Sequence, residues 1–268
     1  MQPTLDIVKT WAAGAGSILR EGHGKQHQVR HKGVIDIVSE IDQRSEAYLI
    51  DQIRSHFPDH SLFTEETGMI NGEQEEHRWF IDPLDGTVNY VHGIPIFSVS
   101  IGYAYRGELQ LGVVYDPMRD HCFSAAKGQG AFLNDEPIHV ASTEKLIDAL
   151  TVTGFPYDMH GQRGNNLDHY TNFAFTAQAV RRLGSAALDL CYIACGWFDG
   201  YWEMEIKPYD FAAGTLMVRE AGGVVTTFRG DPDVFHFPYT IVAANPVLHP
   251  QMLEVIQSTL DGKTEKVA

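Results

Sequence analysis

Apolar residues at Leu5, Val8, Trp11, Ala12, Ala15, Ile18 and Leu19 recur at three- and four-residue spacing, which predicts a helix over 5–21 with one buried face. Gly22 and Gly24 end that pattern. A second helix is predicted over 39–57, with Ile41, Tyr48, Leu49, Ile53 and Phe57 on one side. Ser39 is placed as its N-cap, Asp42 follows three positions on as in a capping box, and Pro58 stops it. The period then shortens. Residues 79–82, 97–103, 109–115 and 121–125 are runs rich in β-branched and aromatic residues, divided by Gly, Pro or charged turns. They predict a mainly antiparallel sheet. From residue 146 the texture alternates, with strands expected over 149–153, 180–183, 198–203, 224–227 and 240–243. Helices are expected between them, over 166–178, 186–195, 211–221 and 246–260. The fold class expected is therefore α+β followed by α/β, in an N-terminal half (1–145) and a C-terminal half (146–268). No repeat or low-complexity linker divides the halves, so they are expected to pack tightly, with a polar tail over 261–268 that frays.

Composition narrows the class. Hydrophobic residues are 44% and charged residues 21%, which excludes a disordered chain. No apolar run approaches the ~18 residues of a membrane span. The first residues lack the basic start and apolar block of a secretory signal. Twenty Lys and Arg stand against 35 Asp and Glu, a net charge of −15. Such a surface repels phosphate backbones, so neither nucleic acid nor an anionic membrane is expected as the main partner. The three cysteines, Cys122, Cys191 and Cys195, form no CxxC pair and no disulfide framework. A reducing, cytoplasmic location fits them.

The chemistry concentrates in acids at element ends. In Asp82-Pro83-Leu84-Asp85-Gly86-Thr87, an apolar strand is expected to end at Asp82, Pro83 to turn the chain, and Asp85-Gly86 to open a helix. Two acids so placed can face one point, and a divalent ion with hard oxygen ligands, Mg²⁺, offsets their repulsion. Gly86 lets the backbone approach a ligand, and the amides of Gly86 and Thr87 can hold an anion. The competing reading is an ordinary Asp-Pro-x-Asp-Gly turn. Glu65-Glu66 after Leu62-Phe63 is a second acid pair, or else a solvated charge pair. Asp210, opening an almost uncharged helix, is a third candidate, or else a helix cap. Together the three make a multi-metal phosphate site the better reading.

The segment from Ile81 through Asp85-Gly86-Thr87 to Tyr90 resembles the first signature of the inositol monophosphatase family. Glu203-Met204-Glu205-Ile206-Lys207-Pro208-Tyr209-Asp210 through Gly214, followed by Glu220-Ala221-Gly222-Gly223, resembles the second. Thr64-Glu65-Glu66, Ser98 to Gly102 and Gly184-Ser185-Ala186-Ala187 also fit, so the resemblance runs over nearly the whole chain. It implies a layered α-β-α-β-α sandwich, a homodimer, and membership of a lithium-sensitive, Mg²⁺-dependent phosphatase superfamily. By the resemblance, Glu65, Asp82 and the carbonyl of Leu84 hold a first ion. Asp82, Asp85 and Asp210 hold a second, and Glu65 holds a weaker third. The resemblance makes Thr87 and Asp42 the water-activating pair and rests the phosphate on Gly86 and Thr87. It sets Glu203 against inositol hydroxyls, and Gly184, Ser185 and Ala186 beside the ring. The implied reaction is hydrolysis of a small polyol phosphate, inositol 1-phosphate foremost, by direct in-line attack of water.

Arg182 departs from the animal enzymes' small serine and can reach a second phosphate, which keeps fructose 1,6-bisphosphate in view beside histidinol phosphate. Lys207 can act likewise, and both side chains can equally be solvated or salt-bridged. A reading of another class is a regulatory binding protein that reuses the fold. His23, His27 and His31 are spaced by four, but the surrounding glycines make a solvated loop the expectation. Cys191 and Cys195 are expected as small core residues.

Overall fold

The computed structural model describes residues 2–25, 29–31, 37–156 and 166–260. The outermost layer holds α1 (Leu5–Gly22) and α2 (Glu40–His56), the latter preceded by the antiparallel pair β1 (Val29–His31) and β2 (Ile37–Ser39). The next layer is an eight-stranded sheet. Its strands are β3 (His60–Thr64), β4 (Gly68–Ile70), β5 (Gln74–Asp85), β6 (Ser98–Tyr105), β7 (Glu108–Asp116), β8 (His121–Ala126), β9 (Ala131–Leu133) and β10 (Glu136–Ile138). They lie in the order β10-β9-β8-β7-β6-β5-β3-β4, antiparallel except for the β3–β5 pair. One turn and a half of helix, α3 (Thr87–Val91), joins β5 to β6.

Two helices, α5 (Ala186–Ala194) and α6 (Pro208–Glu220), form the middle layer. The second sheet comprises β11 (Leu150–Thr153), β12 (Ala179–Arg181), β13 (Gly200–Met204), β14 (Val224–Thr226) and β15 (Thr240–Ala244), in the order β12-β11-β13-β15-β14. Its first three strands are parallel and the rest antiparallel. The last layer is α4 (Leu167–Thr176) and α7 (Leu248–Leu260). This is the α-β-α-β-α sandwich.

Both sheets are buried on both faces, and the two-residue period of a strand sorts their side chains between cores. Trp79 and Ile81 of β5 pack with Trp11 and Leu19 under α1 and α2, whereas Phe80 between them joins Leu188 and Phe211 in the middle layer. Tyr201 and Trp202 of β13 divide likewise, Trp202 stacking on Phe173 at 3.8 Å between ring centres. Helix α6 lies close on the large sheet because Gly112 of β7 carries no side chain; a Cβ there would stand 2.8 Å from the carbonyl oxygen of Ala213.

The predicted elements are present, with ends moved by a few residues. Strand β12 stops at Arg181, leaving Arg182 and Leu183 in a loop. The strand expected to end at Asp82 instead continues through Pro83 to Asp85. Asp82 pairs with Ser100 and Asp85 with Ser98, so two residues of β5 oppose one of β6. Pro83 has no N–H to give the ladder, and a bulge accommodates it. His23 is not a solvated loop residue: it follows α1, and its half-buried ring lies 5.1 Å from Phe97 and 5.6 Å from Tyr90. His27 lies outside the described residues, and His31 is on β1. Cys191 is buried and the cysteines are free.

Candidate active site

The bulge in β5 makes the site. Asp82 and Asp85 are an odd number of residues apart, and in a regular strand they would point to opposite faces. The inserted residue reverses that parity, and both line a single cleft of about 340 Å³. Strand β3 runs parallel to β5 and ends at Thr64, so Glu65 emerges beside Asp82, its N–H donating to the Ile81 carbonyl at 3.2 Å. Asp210, in the first turn of α6, faces the same cleft. Its carboxylate accepts the Lys207 N–H at 2.8 Å, which ties it to the residue that opens the helix.

Four carboxylates in one cleft disfavour one another's charge. Burial and the neighbouring Glu65, Asp85 and Asp210 push Asp82 well above the usual carboxylate range, against one restraining N–H from Leu84 at 3.0 Å. Asp210 is driven up by burial, Glu65 and Asp85. Asp85 rises less, to about 6, because donors hold it. The amides of Ala187 (2.9 Å) and Ala186 (3.2 Å) at the start of α5, the Ser185 hydroxyl, and Ser98 at 3.4 Å all reach its oxygens. Among the described residues no three His, Cys, Asp or Glu close into a finished ligand cage. The four acids and the adjacent Leu84 carbonyl are nonetheless an all-oxygen donor set whose mutual repulsion a hard cation would relieve.

Thr87 follows the bulge. Gly86 precedes it in the left-handed region at φ +95°, and a Cβ there would meet the carbonyl oxygens of Ile96 and Gly184 at 3.0 and 3.1 Å. The Thr87 hydroxyl lies 3.0 Å from both Asp42 Oδ1 and the Leu84 carbonyl. Asp42 is fully buried in the first turn of α2, so its position is not simply a complement to the helix dipole. Ser45, one turn on, donates to the Pro83 carbonyl at 2.8 Å and ties α2 to the bulge.

Across the cleft, Gly184, Ser185 and Ala186 form the turn into α5, and Asn89 of α3 donates to the Leu183 carbonyl at 2.7 Å. Ser185 and Ala186 grip Asp85, a role additional to their expected place beside a ring. Glu203 of β13 accepts the Tyr201 hydroxyl at 2.6 Å, and burial pushes its carboxyl up to about 7. Arg182 and Lys207 are exposed and line the same cleft, the Arg182 guanidinium 5.5 Å from the centre of the Phe155 ring. Every expected site residue thus lines this cleft except Asp42, which reaches it through Thr87.

Sequence reading missed three contributors. Asp189 of α5 is 1% exposed and lines the cleft. Its signal was present: an ionisable residue in the otherwise uncharged run Ala186–Ala194. Ser98 and Tyr201 hold Asp85 and Glu203 respectively, and sequence alone gives no signal for either pairing.

Layered fold and acid-lined cleft define a class built for anionic esters held through cations. The family comparison agrees: the chain belongs to the inositol monophosphatase family, whose model matches residues 1–261. It is 40% identical over 268 residues to the Nus factor SuhB of Pasteurella multocida, covering 99% of this chain and 100% of that protein. It is 38% identical over 261 residues to the inositol-1-monophosphatase of Mesorhizobium japonicum, with 97% and 98% covered. Among solved structures, the extragenic suppressor protein suhB of Bartonella henselae superposes with a TM-score of 0.89 at 38% identity, covering 94% of this chain and 97% of that one. The inositol monophosphatase of Anabaena gives 0.85 at 40% identity, with 95% of each covered. Membership supports a phosphatase of this superfamily. Among the described residues no helix is long and apolar enough to cross a membrane.

Proposed function

We propose that the protein hydrolyses the phosphate monoester of a small polyol, inositol 1-phosphate foremost, with two to three Mg²⁺ ions per site. We read it as a cytoplasmic homodimer, after its family. The observation that carries the reading is the β5 bulge, which turns Asp82 and Asp85 into one cleft with Glu65 and Asp210 while setting Thr87 against Asp42. Glu65, Asp82, Asp85, Asp210 and the Leu84 carbonyl would hold the ions, which when bound neutralise phosphate charge and acidify water.

The chain's own residues do the rest. The Thr87 hydroxyl donates to Asp42, which leaves a lone pair on Oγ1 to accept a proton from the attacking water. Asp42 takes the Thr87 proton in turn, so the pair moves one proton away from the nucleophile. The amides of Gly86 and Thr87 seat the phosphate, Gly86 having no side chain to obstruct it. Glu203 accepts a hydroxyl of the alcohol portion, held in place by Tyr201. Water attacks phosphorus in line and the alcohol departs.

Phosphate release in saturating Mg²⁺ tests this with inositol 1-phosphate, fructose 1,6-bisphosphate and histidinol phosphate. A lead of tenfold or more in kcat/KM for the inositol ester, about 1.4 kcal/mol, supports it. Arg182 and Lys207 at the rim favour fructose bisphosphate as a second reading, and its lead would replace the first. Relatives named Nus factor at comparable identity favour a regulatory binding role. A stable macromolecular complex with no turnover on any ester would establish that role instead.

A further inference from the structure

Asp189 sits in the first turn of α5, a helix whose described residues after Ala186 are all buried. Its Oδ1 exposes essentially no surface and has no hydrogen-bond partner among the described residues. A buried acceptor left this way costs on the order of 1–3 kcal/mol, more for a carboxylate, and calls for an explanation. Simple packing does not supply one, because the residue lines the active-site cleft. Glu203 lines it too, and is the strongest charge acting on Asp189. Glu203 lies against Gly154: a Cβ there would stand 2.2 Å from both Glu203 oxygens. Asn166 holds that glycine in place, donating to the Gly154 carbonyl at 2.6 Å while accepting the Trp202 indole N–H at 2.8 Å. Glycine at this position thus makes room for the Glu203 carboxylate.

We propose that Asp189 is a specificity-determining residue, its carboxylate bonding a second hydroxyl of the substrate alcohol beside the hydroxyl that Glu203 takes. This rests on the polyol-phosphatase reading and adds to it a requirement for two hydroxyls. The chemistry selects a diol over the alternatives. A hydroxyl both donates and accepts, so a diol satisfies the two carboxyls whether or not they share a proton. An ammonium group would satisfy them only when ionised, and Arg182 already supplies a positive charge nearby. A second phosphate in the same place would meet two acids of its own sign.

The test is steady-state hydrolysis by Asp189→Leu and Asp189→Asn with Mg²⁺, on inositol 1-phosphate and on phenyl phosphate, which has no hydroxyl. Asp189→Leu is expected to lower kcat/KM for the inositol ester about 10- to 100-fold and to leave phenyl phosphate within about twofold. Asp189→Asn keeps an acceptor and a near-identical shape, and is expected to lose less on the inositol ester. A parallel fall on both substrates with either variant would make the residue a structural one and overturn the proposal. So would an unchanged inositol rate. A wild-type enzyme that cleaves neither ester, a result that needs no variant, refutes the polyol reading, and this inference falls with it.

Discussion

Tyr201→Phe removes one oxygen from a buried ring and tests how Glu203 is held. The hydroxyl donates to Glu203 Oε2 at 2.6 Å, and burial has pushed that carboxyl from 4.5 to about 7. A glutamate whose folded pKa lies above its unfolded one contributes stability that is full below about pH 4.5 and is lost as pH rises through 7. The phenol opposes that loss, because it bonds the ionised carboxylate more strongly than the neutral acid. A neutral hydrogen bond contributes about 1 kcal/mol and one to a charged group about 2.5 kcal/mol. The substitution is therefore expected to cost about 1 kcal/mol near pH 5.5 and about 2.5 kcal/mol near pH 8.5. The difference, about 1.5 kcal/mol, is a roughly tenfold change in the ionisation equilibrium of Glu203 toward the protonated form. Urea denaturation of both proteins at the two pH values measures it. An equal cost at both would refute the argument, since the phenol would then be indifferent to the charge on Glu203.

Asp82→Asn removes one charge from the acid cluster, and is expected to cut phosphate release more than about 100-fold while raising stability by about 1–3 kcal/mol in chelator; assay and thermal melt read the two opposite effects. Adding Mg²⁺ to chelated wild type is expected to stabilise it by about 2.7 kcal/mol at a hundredfold excess over Kd, and to do far less for Asp82→Asn, as scanning calorimetry would show. His60, stacked on His77 at 4.1 Å between ring centres, is held by burial at about 4 against an ordinary 6.5. A depressed histidine contributes stability present above pH 6.5 and lost as pH falls toward 4, at most about 3 kcal/mol. His60→Gln is expected to flatten that limb when denaturation is compared at pH 7 and 4.5. Phe211→Ala, in the middle layer, is expected to cost about 3–5 kcal/mol in urea denaturation.

Periodicity revealed what periodicity governs. The stripe from Leu5 to Leu19 gave α1 because one of its faces is solvated, and strand–helix alternation after residue 146 gave the smaller sheet. The short strands β4, β9 and β10, at or next to the sheet's edges, escaped notice, having three residues each and polar or turn-forming neighbours. The acids of the site were legible as types and spacings. Their convergence was not, because it depends on a bulge, and strand alternation alone would have sent Asp82 and Asp85 to opposite faces. Asp189 illustrates the other limit. A helix buried all round has no polar face, so its sequence says that it is inside without saying which residue meets the cleft.

The carboxylates of the cleft are not equivalent, and the protein's own donors rank them. Asp85 takes two amides from the start of α5 and two hydroxyls, and these hold it near 6 in full burial. Asp210 takes the backbone N–H of Lys207, and Asp82 that of Leu84. Each is also flanked by three like charges, Glu65, Asp85 and Asp210 for Asp82, and Glu65, Asp85 and Glu203 for Asp210. The chain thus leaves Asp82 and Asp210 less compensated than Asp85, and a cation beside them would do most to offset the repulsion. Amide substitution of Asp82 or Asp210 is therefore expected to weaken Mg²⁺ binding more than that of Asp85, already supplied with donors, as calorimetric titration would show.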